Sequence, residues 1–344
     1  MKLFEEVKLR NLSIKNRIVR SATHSMLGSL DGSISEKELD MFEELAANDI
    51  GLIIAGQFFV TEGGIVAPAS NLLSDDLFID KAAAIVERVK KYDTKIIAQL
   101  NHAGAQAYNS EECFAPSAIK IGDGRKAREI TVEEIEALKE AFINSAYRAK
   151  HAGLHGVQIH AAHDYLLCEF LTPEYNKRKD KYGRSAEGRR LIVEEILAGI
   201  KKKCGEEFPV FIKVNSNVKK NNKEYQEDLK DLVKSLGELG IEAVEFSGYK
   251  VSEQDKERCN YNLEDALRAK GSTDVKTILV GGIDNFNAME EAINSGMDMV
   301  ALSRALICQG DLITKLKNGQ EKARCVRCNM CYTAGPKRCI LPKN

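Results

Sequence analysis

Two histidines and a tyrosine lie close together near the middle of the chain. His160, His163 and Tyr165 follow or end a short apolar stretch. Two neutral imidazoles can donate hydrogen bonds to one oxygen and so polarise a carbonyl group, and a phenol with an ordinary pKa of about 10 is suited to protonate an enolate. The three side chains therefore predict a site that withdraws charge from a carbonyl and supplies a proton. A zinc site is the alternative, but it needs further ligands, and Glu169 is the nearest acid.

A lysine lies near the end of another apolar stretch, where burial would be costly without an anionic partner. Three partners for Lys213 stay open. A reduced flavin carries negative charge around N1 and O2, which a nearby cation stabilises. A substrate carbonyl could instead form a Schiff base with the amine, as in barrel aldolases. A carboxylate of the protein itself would make Lys213 part of a structural ion pair.

Two further segments combine residues that suit an anion. Gly281 and Gly282 precede a helical pattern, and Ser303 and Arg304 follow the last apolar stretch. Loops of this kind bind phosphate through backbone N–H groups in α/β barrels, and an arginine adds a bidentate, charge-assisted contact. We therefore predict a phosphate site here, with a plain tight turn as the alternative for the two glycines.

The nine cysteines fall into two groups. Five are scattered and are interpreted as reduced thiols, because disulfides are rare in a reducing cytosol: Cys113, Cys168, Cys204, Cys259 and Cys308. Four lie near the end of the chain: Cys325, Cys328, Cys331 and Cys339. Their spacing suits a [4Fe–4S] cluster or a structural zinc ion, and thiols without a metal are the third interpretation.

These groups need elements that bring distant segments together. Short apolar or β-branched stretches alternate with longer helical patterns, which predicts parallel strands covered on both faces. The predicted strands are 17–21, 51–55, 95–100, 156–160, 210–214, 243–246, 277–280 and 299–302. The predicted helices are 36–47, 80–92, 131–152, 186–203, 224–239 and 285–295, and Thr131 with Glu134 fits a capping box at the start of the third.

Eight alternating strands predict an α/β fold, a (β/α)₈ TIM barrel, over residues 1–320, followed by a Cys-rich tail over residues 321–344. An open, doubly wound sheet is the alternative, although no GxGxxG follows a strand. In a barrel the functional groups lie just past the C-terminal ends of the strands. The histidines, the lysine, the glycine pair and the arginine all fall at such ends.

Composition narrows the class of partner. The 50 basic and 51 acidic residues give a net charge of −1, which provides no reason to expect nucleic acid or an anionic membrane as a partner. No run of 18 apolar residues indicates a transmembrane helix. The first ten residues are charged and lack the apolar core of a signal peptide. We therefore expect a cytoplasmic protein that acts on a small molecule.

Several segments carry a resemblance to a known family. They are residues 3–7, 15–23, 156–167, 170–173, 176–178 and 180–183, of which GVQIHAAHDYLL over 156–167 is the most specific. With these segments, nearly the whole chain resembles the old yellow enzyme family of NADH:flavin oxidoreductases, and most of all short relatives of the barrel domain of 2,4-dienoyl-CoA reductases. The resemblance implies an FMN-dependent ene-reductase that takes hydride from NADH or NADPH and reduces the C=C bond of an α,β-unsaturated carbonyl or related alkene.

The resemblance also implies roles for individual residues. His160 and His163 would bind the substrate's carbonyl oxygen, and Tyr165 would donate the proton. Lys213 would lie beside N1 of the flavin. The remaining FMN contacts would come from Ser21, Ala22, Thr23, His24, Gln57 and Gln99 around the ring, and from Gly281, Gly282, Ser303 and Arg304 at the phosphate. One site would serve NAD(P)H and the alkene in turn, so we expect ping-pong kinetics.

Three departures from the family's pattern are visible. Asp164 stands where relatives usually have glycine, and Arg184 replaces the second glycine of a Gly-Gly-Ser segment. The sequence ends soon after the predicted barrel, where large relatives continue into flavin- and nicotinamide-binding domains, so we expect electrons to reach FMN directly or from a separate electron-donor protein. Homo-oligomerisation stays open as well. The alternative functions are a non-redox lyase or aldolase that uses Lys213, and a flavin-containing electron-transfer partner of another protein.

Overall fold

Eight parallel strands close into a barrel in the computed structural model, which describes residues 2–108, 113–120, 124–218, 222–271, 273–333, 336 and 338–341. Each strand pairs with the next along the chain, and the first pairs with the last. This confirms the predicted TIM barrel. The barrel strands are β1 (Ile18–Arg20), β2 (Leu52–Phe59), β3 (Lys95–Asn101), β4 (Val157–Ala161), β5 (Val210–Asn215), β6 (Ala243–Ser247), β7 (Thr277–Val280) and β8 (Met299–Leu302).

Helices surround the barrel and confirm the six predicted ones to within a few residues. Thr131 accepts from the backbone N–H of Glu134, whose side chain accepts in return, so the predicted capping box is present. The helices are α1 (Glu36–Ala47), α2 (Ile79–Val89), α3 (Val132–His151), α4 (Leu166–Leu171), α5 (Ala186–Cys204), α6 (Lys223–Glu238), α7 (Leu263–Lys270), α8 (Phe286–Asn294), α9 (Arg304–Cys308) and α10 (Leu312–Lys317). The described part of the chain contains no helix long and apolar enough to span a membrane.

The barrel interior is apolar at one end and polar at the other. A short antiparallel hairpin, Val7–Lys8 with Ser13–Ile14, packs Val7 and Ile14 into a cluster of strand residues. The strand members of that cluster are Val19, Leu52, Ile54, Ile97, Phe211, Ala243, Ile278, Met299 and Ala301. Side chains in a barrel lie in layers, so the polar residues further along each strand are left at the C-terminal end.

Two additions lie outside the barrel strands. A small three-stranded sheet, Phe114–Ala115, Ile119–Lys120 and Lys126–Glu129, comes between β3 and α3. After α10 the tail returns to the barrel: the N–H of Ala323 donates to the carbonyl of Asp284 at 2.7 Å, and Asn285 forms a bridge with Lys322. The tail therefore packs against the loop after β7, on the side where the strands end.

Candidate functional site

A cavity of about 460 Å³ lies at the C-terminal ends of the strands. This volume falls within the range of about 300–1,000 Å³ that is usual for small-molecule and cofactor sites. Twelve of the residues predicted to contact cofactor or substrate line it: Ser21, Ala22, Thr23, His24, Gln57, His163, Tyr165, Lys213, Gly281, Gly282, Ser303 and Arg304. Two others, Gln99 and His160, are not among the lining residues and are buried below it.

The histidines and the tyrosine form one cluster. The ring of His160 lies 5.1 Å from that of His163 and 5.2 Å from that of Tyr165, nearly perpendicular to both. His163 and Tyr165 reach the cavity because the chain turns sharply after β4, with φ angles of 62° at His163 and 56° at Asp164. Gln106 donates to the carbonyls of both turn residues, at 3.1 and 2.6 Å.

The turn also explains why relatives have glycine where this chain has Asp164. A φ of 56° lies in the left-handed region, which glycine adopts freely and which aspartate tolerates better than most residues. The side chain of Asp164 lines the cavity, and burial raises the pKa of its carboxyl group while the charge of Lys250 opposes that shift. The departure therefore adds an acidic group beside His163 at a position whose backbone conformation favours glycine.

The protonation states suit the predicted chemistry. Burial, assisted by the charge of Lys213, lowers the pKa of His163 to about 3, and burial lowers the pKa of His160 well below its usual value. Nε2 of His163 lies 2.8 Å from Oγ of Ser247. Burial raises the pKa of Tyr165, and a hydrogen bond with Gln57 partly offsets that shift. At neutral pH the cavity wall thus carries the neutral imidazole of His163 and a protonated phenol, and the buried imidazole of His160 is neutral as well.

The buried histidines predict a loss of stability in mild acid. His102, which stacks on Phe114 at 5.0 Å, has its pKa lowered to about 4 by burial. Below pH 6.5 the unfolded chain binds a proton at this position that the folded chain does not bind until about pH 4, so the free energy of unfolding falls as the pH falls through this window. When the pH falls from 7.5 to 5.5, we expect the free energy of unfolding to drop by about 1.4 kcal/mol less in His102→Gln than in the wild type. Urea unfolding at the two pH values measures this.

The test compares the pH dependence of unfolding free energy between the variant and the wild type, because Glu38 and Glu169 change the wild-type stability in the opposite direction over the same pH range. Burial raises the pKa of both carboxyl groups, so the folded chain keeps protons that the unfolded chain releases as the pH rises. The same substitution at exposed His151 controls for the loss of an imidazole. Equal slopes for the wild type and His102→Gln would contradict the assignment of a neutral, buried His102.

Lys213 has the protein carboxylate that its burial requires. Its Nζ lies 3.1 Å from Oε1 of Glu245 and donates to Oγ of Ser21 at 2.7 Å. Lys213 is 3% exposed and Glu245 is 0% exposed. Lys213 also lines the cavity, so the ion pair and a contact with a bound anion are compatible. Sequence reasoning missed Glu245, although a single charged residue within the apolar stretch 243–246 was a signal that could have found it.

The glycine pair allows a close approach of backbone segments. Gly281 and Gly282 have φ angles of 141° and 71°. A Cβ on Gly281 would lie 2.4 Å from Nδ2 of Asn262, and one on Gly282 would lie 2.8 Å from the carbonyl oxygen of Arg258. A side chain at either position would collide with the segment 258–262, so glycine lets this loop pack against that segment while it lines the cavity.

Hydroxyl groups and an arginine complete this end of the cavity. Oγ1 of Thr23 lies 2.8 Å from Oγ of Ser303, and Arg304 donates to Oδ1 of Asn329 at 2.6 Å. Together with the glycine pair, they form a set of donors and one cation, which is what a phosphate group requires. With the second cation at Lys213, the residues present fit FMN, whose phosphate and reduced ring are both anionic.

A second arginine at this end was missed by sequence reasoning. Arg327, in the tail, is buried and makes two bonds of 2.7 Å with the carboxylate of Asp284. It also donates to the carbonyls of Lys256 and Arg258 and to Sγ of Cys259. An arginine has five N–H donors, and these contacts engage all of them. Arg327 therefore fixes the tail to the loop after β7 and has no donor left for a ligand.

The four tail cysteines gather around one small cavity. Cys325, Cys328, Cys331 and Cys339 line a space of about 20 Å³ together with Cys308. Within the described residues, however, no group of three or more His, Cys, Asp or Glu side chains is arranged to hold a metal ion. The thiols thus share a location but do not form a ready ligand set, and the predicted cluster or zinc ion is not shown.

The fold is a TIM barrel, and its cavity lies at the strand ends and is lined by Lys213 and Arg304. The chain belongs to the NADH:flavin oxidoreductase / NADH oxidase family, whose sequence model matches residues 2–323. This confirms the predicted family. The match ends before the tail cysteines, so it carries no information on them.

Curated relatives agree with this assignment. The chain is 31% identical over 344 residues to an NADH oxidase of Thermoanaerobacter brockii, covering 95% of this chain and 53% of the relative. It is 31% identical over 325 residues to an NADPH dehydrogenase of Clostridium acetobutylicum, covering 89% of this chain and 92% of the relative. The chain thus spans about half the length of the first relative and nearly all of the second.

Solved structures agree with the fold. A 2-naphthoyl-CoA reductase in complex with 2-naphthoyl-CoA superposes with a TM-score of 0.88 at 24% identity, covering 96% of this chain and 54% of that one. An old yellow enzyme homologue from Zymomonas mobilis superposes with a TM-score of 0.82 at 22% identity, covering 94% of this chain and 95% of that one. At these identities the likeness concerns the barrel and not the substrate.

Proposed function

We propose that this chain binds FMN in the cavity and uses NADH or NADPH to reduce the C=C bond of an α,β-unsaturated carbonyl compound. One observation carries the proposal. Neutral His163 and protonated Tyr165 line the same cavity as two cations, Lys213 and Arg304. A hydrogen-bond donor for a carbonyl oxygen, a proton donor and two cations for an anionic cofactor therefore lie in one cavity.

Different residues would contact the ring and the phosphate of FMN. Lys213 would contact the N1–O2 side of the ring, and Gln99 would hydrogen-bond its pyrimidine edge. The remaining contacts with the ring would come from Ser21, Ala22, Thr23, His24 and the backbone of Gln57, and those with the phosphate from Gly281, Gly282, Ser303 and Arg304. Bound FMN supplies the hydride chemistry: it accepts a hydride from the nicotinamide and gives one to the alkene.

The protein side chains would supply the rest. An N–H of His163 would donate to the carbonyl oxygen, drawing charge from the C=C bond and leaving the β-carbon electrophilic. His160, packed perpendicular to His163, would reach the same oxygen from below or hold His163 in place. The hydroxyl of Tyr165 would give its proton to the α-carbon as charge builds up there.

The two half-reactions test this proposal separately. Anaerobic NADPH or NADH should bleach the flavin absorbance of the holoenzyme, and an added enone should restore it. Steady-state kinetics should then be ping-pong, because both compounds use one cavity. Bleaching without recovery on any activated alkene would favour the electron-transfer alternative, and a ternary complex in the kinetics would contradict the shared cavity.

The aldolase alternative finds less support in the cavity. Schiff-base formation needs a free amine, whereas the Lys213 ammonium group is held in an ion pair with Glu245. Trapping with borohydride and an aldehyde or ketone provides the test. A covalent adduct on Lys213 in the flavin-free protein would revive this function.

The phosphate site predicts the effect of removing Arg304. Charge-assisted hydrogen bonds contribute about 1.5–3 kcal/mol, so we expect Arg304→Ala to raise the Kd for FMN by about 10- to 150-fold. Fluorescence quenching of the free flavin on binding measures this. Riboflavin, which lacks the phosphate, is the matched control ligand, and its Kd should be nearly the same in the variant and the wild type. An equal loss for both ligands would place Arg304 away from the phosphate.

For the tail, we propose that Cys325, Cys328, Cys331 and Cys339 bind a [4Fe–4S] cluster or a zinc ion when one is supplied. The four cysteines line one small cavity, which supports a shared metal site. Within the described residues their thiols are not arranged to hold a metal ion, so binding would require them to rearrange. Iron, sulfide and zinc analysis of anaerobically purified protein decides between them, with Cys328→Ser as the comparison. Protein that contains neither iron nor zinc would show that the tail cysteines are free thiols.

A cytoplasmic location, a homo-oligomer and a separate electron donor stay predictions.

A further inference from the structure

A glutamate lies directly behind the lysine of the cavity. Glu245 on β6 is paired in register with Lys213 on β5 and is completely buried. Its Oε1 accepts from Ser21 at 2.6 Å and lies 3.1 Å from Nζ of Lys213. Its Oε2 accepts from Nε2 of Gln158 at 2.8 Å. The carboxylate is thus held from three sides and is not among the residues that line the cavity.

The same contacts fix the orientation of the groups in front of it. Gln158 uses an N–H on Glu245, so its carbonyl oxygen is available to accept from Nε2 of Gln99 at 2.7 Å. Ser21 donates its hydroxyl hydrogen to Glu245 and accepts from Lys213. One carboxylate therefore sets the direction of Ser21 and Gln158 directly, and that of Gln99 through Gln158.

Glu245 also changes what Lys213 presents to the cavity. A lone buried ammonium would carry a full positive charge, but the pair with a carboxylate at 3.1 Å has no net charge. Replacing a buried ion pair with apolar residues often leaves stability unchanged or raises it, so packing alone gives little reason for the pair. Its electrostatic effect on a neighbouring group is the more specific consequence, because charges in a buried site are weakly screened.

We infer that Glu245 is a positioning residue that lowers the reduction potential of bound FMN by offsetting the charge of Lys213. The inference rests on the proposed function, in which Lys213 lies beside the flavin ring. Reduction adds negative charge to that ring, and an unopposed cation would stabilise the reduced form. With the carboxylate behind the cation, that stabilisation is smaller, and the enzyme holds a stronger reductant for alkenes.

The test is the midpoint potential of the FMN-loaded enzyme, measured by equilibration with redox dyes under anaerobic conditions. Glu245→Gln keeps the volume and an acceptor oxygen but removes the negative charge. We expect it to tighten binding of reduced over oxidised FMN at least tenfold, which raises the potential by about 30 mV for a two-electron couple. Glu245→Asp, which keeps the charge, should stay closer to the wild type.

Two further variants separate charge from structure. Glu195→Gln removes a similar charge from an ion pair on the barrel exterior, with Lys139, and should not move the potential. Lys213→Gln should lower the potential, and the double variant Lys213→Gln/Glu245→Gln should return it towards the wild-type value. A structural disturbance would not produce shifts of opposite sign that cancel.

The outcomes distinguish this inference from the proposed function. If the wild type fails to bind FMN, the proposed function falls and takes the inference with it. If the wild type binds FMN and Glu245→Gln leaves the potential unchanged or lowers it, only the inference is overturned. If Glu245→Gln does not retain FMN, the midpoint potential of the double variant Lys213→Gln/Glu245→Gln provides the test. A potential of the double variant far from that of the wild type would overturn the inference.

Discussion

Replacing Tyr165 with phenylalanine is expected to slow reduction of an α,β-unsaturated ketone by about 10²- to 10⁴-fold, the usual contribution of a positioned general acid. The variant keeps the ring that packs against His160 but loses the hydroxyl group that faces the cavity. Reduction of FMN by NADPH needs no proton from Tyr165, so its rate should change little. Stopped-flow absorbance of the flavin measures both half-reactions in the same protein.

A nitroalkene is the matched control substrate for this variant. Its reduction leaves a nitronate, a weak base that can remain unprotonated when it leaves the enzyme. We therefore expect Tyr165→Phe to consume a nitroalkene at nearly the wild-type rate while it fails with the ketone. Equal losses on both substrates would show that the hydroxyl serves binding or cavity structure and not proton transfer.

His163→Ala is expected to lower kcat/KM for the same ketone by about 10²- to 10³-fold, as removal of one donor to a developing oxyanion does. His163 is neutral at working pH because burial keeps its pKa at about 3. It can therefore donate a hydrogen bond as a neutral imidazole, through the one ring nitrogen that carries a hydrogen. Enone-dependent reoxidation of reduced enzyme provides the rate.

Ser247 supplies the comparison for His163. Its hydroxyl group lies 2.8 Å from Nε2 of His163, and a bound carbonyl would have to compete with it. Ser247→Ala removes this partner but leaves the imidazole in place, so its kcat/KM should stay well above that of His163→Ala. Similar losses in the two variants would indicate that orientation of the ring by Ser247, and not the donor itself, limits the reaction.

The barrel and most of its cavity could be predicted from the sequence for one physical reason. Parallel strands are buried on both faces and read as short apolar stretches, and their C-terminal ends meet at one side of the barrel. Lys213 and Arg304 therefore fall in the same cavity, although 90 residues separate them in the sequence.

What the sequence did not predict depends on contacts between distant segments. The helix α7 (Leu263–Lys270) has only eight residues and buries only Ala266 and Ala269, so few apolar residues mark it in the sequence. Glu245 becomes meaningful only when strand register places it beside Lys213. Arg327 looks like a surface charge in a polar tail until folding brings it to Asp284. Positions at strand ends also placed His160 and Gln99 at the cavity, but both side chains are buried and do not line it.

FMN titration into flavin-free protein tests the central claim most directly, because every proposed role depends on one cofactor in one cavity. The account predicts saturable quenching of flavin fluorescence at one FMN per chain, weakened by Arg304→Ala for FMN but not for riboflavin. Folded, flavin-free protein that leaves the fluorescence and absorbance of added FMN unchanged would contradict it.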